Sequence, residues 1–114
     1  MESTFPVLVL EKDSGDFLKF GSVAEMQGYL ERIDVENDEY AAWDANGCRV
    51  SLLVQEPAWL KVVPGSESGL PNLRDSLKRF AQARNVNLTE SEQRLAPLAL
   101  YEAITAKGGA GGAP

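Results

Sequence analysis

The chain has 114 residues, enough for one domain that withdraws roughly two-thirds of its unfolded surface from water. A hydrophobic fraction of 44% and a charged fraction of 25% are those of a folded globular chain and exclude wholesale disorder. The net charge of −6 disfavours nucleic acid and anionic membrane as partners, and the single cysteine excludes an internal disulfide and a cysteine-based zinc site.

In chain order, MESTFPVLVLEKD carries acid where a secretion signal needs base, and its apolar run is too short to span a bilayer. A reducing cytoplasm is the expected compartment. Residues 5–10 (FPVLVL) predict a buried strand with Pro6 near its start, where a missing donor is tolerated. The polar stretch 11–16 with Gly15 predicts a turn, and 17–20 (FLKF) a short return strand. Ser22 to Glu25 has the capping-box spacing, and Val23, Met26, Tyr29, Leu30 and Ile33 follow at steps of three and four, predicting one helix with a single apolar stripe.

Asn46-Gly47, between two strand-like runs, predicts a two-residue hairpin turn. That turn pairs Trp43 with Val50 and Asp44 with Arg49. Ala41, Trp43, Ala45, Cys48, Val50, Leu52 and Val54 would then share a core face, with Tyr40, Ala42, Asp44, Arg49, Ser51 and Leu53 on the other. Glu56-Pro57 should end the second strand, 59–63 should form a further strand at or near an edge, and 64–69 reads as loop. Asn72 predicts an N-cap for a helix to about Asn85 that buries Leu73, Leu77, Phe80 and Ala81. A second capping-box spacing at Thr89 to Glu92 opens a helix to about Lys107, which Pro97 should kink or split. The expected architecture is α+β over residues 1–107, a mainly antiparallel sheet in the order ββαβββαα with its helices on one face, followed by a disordered Gly/Ala tail at 108–114.

The absence of histidine removes the commonest general base and every Ser/His or Cys/His arrangement, so no enzyme is expected. Cys48 reads as a small buried hydrophobe, and no phosphate-loop glycine motif occurs, so no cofactor is expected either. Asp34, Glu36 and Asp38 share the opening spacing of a calcium loop. Glu39 and Ala45 then stand where that loop needs glycine and a bidentate acid, and no metal site follows. Residues 72–85 hold Arg74, Lys78, Arg79 and Arg84 against Asp75, a net +3, but no aromatic is interleaved for nucleic-acid stacking.

Charge is the unusual feature. Residues 31–44 carry six acids against Arg32, a net −5. One reading is a solvated run that keeps the protein soluble; the other is a docking surface for a basic protein, with Asp34, Glu36, Asp38, Glu39, Tyr40 and Asp44 as contacts. An alternative of another class is a structural protein that forms a homo-oligomer through a sheet edge near Trp59.

The stretch YLERIDVENDEYAAWDANGCRV, with the capped helix before it, resembles small uncharacterised bacterial proteins, including immunity proteins encoded beside secreted toxins. The resemblance covers residues 22–54 and carries no active-site residue. It implies binding: such proteins present an acidic surface to a toxin's basic active site, which makes a toxin the sharpest form of the expected partner.

Overall fold

The computed structural model describes residues 4–56 and 59–108. Ten elements follow in order: β1 (Val7–Glu11), β2 (Phe17–Phe20), α1 (Val23–Tyr29), α2 (Arg32–Glu36), β3 (Tyr40–Trp43), β4 (Cys48–Val54), β5 (Leu60–Ser68), α3 (Leu70–Ala83), α4 (Glu90–Gln93) and α5 (Pro97–Gly108). The tail expected over 108–114 lies outside the described residues, apart from Gly108, which ends α5, and so does Pro57.

The strands make one antiparallel sheet in the order β2-β1-β3-β4-β5, so the expected α+β class holds, and the element order holds apart from the first and last expected helices, each of which is divided in two. The helices do not gather on one face. Strand residues alternate sides, and both sides of this sheet are apolar. Leu8, Phe17, Ala41 and Trp43 pack on one side against Leu73, Leu77, Phe80 and Ala81 of α3 and Leu100, Tyr101 and Ile104 of α5. Val7, Val9, Leu18, Phe20, Ala42 and Val50 pack on the other against Met26 of α1, Leu30 just after it, and Val35 of α2. A sheet buried on both faces needs cover on both, and the chain supplies one helix pair to each.

Helix boundaries follow local chemistry. Ser22 Oγ accepts from the Glu25 N–H at 3.2 Å, while Glu25 Oε1 reaches back to the N–H of Gly21, one residue before the expected partner. Thr89 and Glu92 form the full reciprocal box, and Glu92 Oε1 also takes Lys107, which together hold the Glu92 carboxyl below its usual range. Pro97 divides the last helical stretch into α4 and α5, as its missing N–H requires. The third helix begins earlier than Asn72 suggests, at Leu70, with Gly69 as N-cap and Pro71 in the first turn.

Two further expectations fail for identifiable reasons. The helix read through Ile33 ends at Tyr29: Gly28 weakens its last turn, and Leu30 takes an extended ψ of 146°. The break rotates the next turn so that Val35, 8% exposed, faces the sheet and Ile33, 60% exposed, faces water. The stretch 64–69 is strand as far as Ser68, because β5 lies at the sheet edge, where Pro64 loses no ladder bond.

Candidate functional site

The acidic stretch forms the corner where α2 hands the chain to β3. Glu31 stands at the N-cap position of α2 without a side-chain capping bond, Asp38 turns the chain in the left-handed region at φ 56°, and Tyr40 opens the strand opposite Glu11. The turn is closed from within by the backbone, since the Glu39 N–H donates to the Asp34 carbonyl at 2.9 Å and the Lys12 N–H to the Glu39 carbonyl at 3.0 Å. The acidic stretch is therefore a short helix and a turn whose backbone is fixed by hydrogen bonds.

The expected contact residues divide. Asp34 is half-buried and accepts from the Tyr40 hydroxyl at 3.4 Å. Asp38 is exposed and paired with Lys12 at 3.1 Å. Glu36 is exposed and Glu39 half-exposed, and among the described residues neither carboxylate has a cation within reach. Three of the chain's arginines pair with other carboxylates: Arg32 with Glu56 at 2.9 Å, Arg84 with Asp16 at 2.9 Å, Arg79 with Asp75 at 3.0 Å.

Tyr40 is only half-exposed. Burial raises its hydroxyl to about 12, the Asp34 and Glu11 carboxylates push in the same direction, and a backbone N–H of Glu31 pulls the other way. Burial, then Asp16 and Asp34, also hold the Glu11 carboxyl above its usual range. A phenol with its proton held more tightly folded than unfolded stabilises the fold fully below pH 10, and that contribution is lost as pH rises through about 12. In an ultraviolet titration of phenolate absorbance, the difference between wild type and Tyr40→Phe is expected to have its midpoint near 12; a midpoint near 10 would contradict the buried hydroxyl.

Asp44 does not belong to this surface. It is 7% exposed, and its Oδ1 accepts from the N–H groups of Asn46 at 2.9 Å and Cys48 at 3.0 Å. The Gly47 N–H donates to the Asp44 carbonyl at 3.0 Å, and only Gly47, at φ 80°, is in the left-handed region. This is a three-residue loop on a carboxylate-held turn, not a two-residue one, because the aspartate side chain satisfies two amides that the tighter turn would leave to the ladder. The extra residue shifts the register by one, so Trp43 opposes Arg49 and Ala42 opposes Val50. The faces change accordingly: Val50 joins Ala42, and Arg49 covers the Trp43 ring with its guanidinium carbon 5.1 Å from the centroid. Asp44→Ala should cost about 2 kcal/mol in urea unfolding by stranding two amides, and Asp44→Asn, which keeps an acceptor oxygen, less than half of that.

Ile33 is the residue that sequence periodicity missed. It stands three positions before Glu36 on α2, so the two share the outer side of the helix, with Val35 turned inward. The only signal available was Gly28, which weakens the helix on which the stripe was counted.

The three leading acids of the calcium-like spacing do not converge: among the described residues no group of three or more His, Cys, Asp or Glu could hold a metal ion. No described helix is long and apolar enough to cross a membrane. Cys48 is a half-buried free thiol. Trp59, at φ 53°, packs partly buried on the α1/α2 face just before the edge strand. Comparison with protein-family models, with curated proteins and with solved structures returns no match to this chain.

Proposed function

We propose that the chain is a protein-binding domain that docks a basic partner on the outer side of α2 and the turn that follows it. The observation that carries this reading is Ile33, a large apolar side chain 60% exposed on the same helical side as Glu36. Exposed aliphatic residues scattered singly need no explanation, but one rimmed by unpaired carboxylates has the composition of an interface centre with a charged border. The apolar side chain supplies burial against the partner, and Glu36, Glu39 and the more loosely held Asp38 steer lysine and arginine toward it. The sharpest form is neutralisation of a bacterial toxin by covering its basic active site, a form that rests on the resemblance at residues 22–54.

Self-association through the sheet edge is the second reading, favoured by the outer position of β5 and by Leu53, 46% exposed on the neighbouring strand. Pro64 and exposed Lys61 within that edge weigh against it, since both residues hinder strand addition. Light scattering over a concentration series distinguishes the two.

The test of the leading reading is kinetic. With a partner obtained by affinity capture and then purified, Glu36→Lys with Glu39→Lys should lower the association rate about tenfold at low salt and flatten its salt dependence. Ile33→Ser should act chiefly on dissociation. A purified partner that binds all three forms alike would remove this surface from consideration.

A further inference from the structure

A cleft of about 330 Å³ opens between the β1–β2 turn and α3, and one of its lining residues, Lys12, also pairs with Asp38 of the turn after α2. Its walls are mainly apolar: Leu10 at the end of β1, buried Phe80, and Ala83 in the last turn of α3. Lys12 from the strand side and Arg79 from the helix side stand at its rim, with the Ser76 hydroxyl one turn before Arg79 and Phe80. In a chain with a net charge of −6, this apolar hollow has a cation on each of two walls, each paired with an exposed carboxylate.

We propose that this cleft binds a small amphipathic monocarboxylate, with its apolar body against Leu10, Phe80 and Ala83 and its carboxylate between Lys12 and Arg79. Its volume lies at the lower end of the range for small-molecule sites, which suits a medium-chain or aryl acid. The protein's overall negative charge disfavours multiply charged anions such as nucleotides, so one carboxylate is the matching head group. Both cations are held only by exposed partners, Lys12 by Asp38 at 3.1 Å and Arg79 by Asp75 at 3.0 Å. Exposed pairs of this kind contribute little, so a ligand carboxylate beside desolvated apolar atoms can take both cations from them. Arg79 offers a planar fork for two parallel N–H to oxygen bonds, and Ser76 a further donor.

Decanoate is a suitable probe, with 1-decanol as the uncharged control and decyltrimethylammonium as the cationic one. Amide shifts followed by NMR should saturate at Leu10, Gly15 and Ala83 with decanoate, and decanol should bind about tenfold more weakly for want of the charge-assisted bonds. Arg79→Gln should weaken decanoate severalfold, leaving the smaller preference over decanol that Lys12 supplies, and Ala83→Trp, which fills the cleft from an exposed helical position, should abolish saturation with circular dichroism unchanged. Equal binding of decanoate and decanol, binding that survives Ala83→Trp, or no saturable shift up to about 5 mM would each overturn the proposal. Because neither substitution lies on α2 or its following turn, failure here leaves the protein-docking reading standing.

Discussion

Trp43→Ala is expected to destabilise the protein by about 4 kcal/mol, read as a fall in the urea midpoint with an unchanged slope. The side chain is 2% exposed and packs against Phe17, with ring centroids 5.9 Å apart, on the α3/α5 face of the sheet. Removing it leaves a hole beneath Arg49, whose guanidinium then loses the ring it covers. A loss of this size is a large share of the roughly 5–15 kcal/mol of a domain and should lower the melting temperature by about 15 °C. Trp43→Phe is the informative companion. The indole Nε1 is buried without a hydrogen-bond partner, so phenylalanine removes an unsatisfied donor as well as some volume. Its cost should be about 1–2 kcal/mol, well below that of alanine. If the two substitutions cost the same, the ring's packing does not carry the stability assigned to it.

Those expectations bear on how far the sequence could be read. Apolar spacing located at least part of every strand and the buried side of α3, because Leu73, Leu77, Phe80 and Ala81 repeat at helical steps within that 14-residue helix. Thr89 and Glu92 were legible because both halves of the box are local. The hairpin register was not, although its dipeptide is a strong signal. Asn46-Gly47 suits two kinds of loop, and Asp44, three residues before Gly47, decides between them by accepting two amides. The slip was invisible in the pattern because the sheet is buried on both faces. Val50 and Trp43 look like partners on one face, yet each finds an apolar cluster on its own side. Double burial also hid the distribution of helices, since alternation alone does not say which face a helix covers.

The candidate surface shows the same division between local and distant causes. Acid density was readable directly, and Asp34, Glu36, Asp38 and Glu39 do cluster at one corner. Asp44 shares their charge but not their exposure, a difference set by backbone amides four residues away or fewer. Ile33 needed the break at Leu30, whose buried side chain depends on contacts with strands far along the chain. Charge was visible in composition, whereas the apolar centre it surrounds depended on tertiary packing.

Replacing glycine by alanine should have opposite signs at two positions, and the larger effect is at Gly65. A Cβ there would lie 2.3 Å from the Arg49 carbonyl oxygen and 3.3 Å from its carbon, both backbone atoms that cannot move aside as a side chain can. The close approach falls where the β4–β5 ladder changes register, with Val50 opposite Pro64 but Cys48 opposite Ser68. Glycine lets the irregular strand come against its neighbour, and this is why a stretch that reads as loop by composition is held as strand. Gly65→Ala must separate the two strands at Arg49, the residue that covers Trp43, so the strain reaches the α3/α5 core; the expected cost is about 3 kcal/mol. At Gly28 a Cβ would meet nothing within 4 Å, and the residue lies inside α1 with ordinary helical φ. Alanine there should stabilise the protein by about 0.5–1 kcal/mol through helix propensity. Urea unfolding of the two variants beside wild type gives both signs in one experiment, and a neutral Gly65→Ala would mean that β5 does not approach Arg49 as closely as the ladder requires.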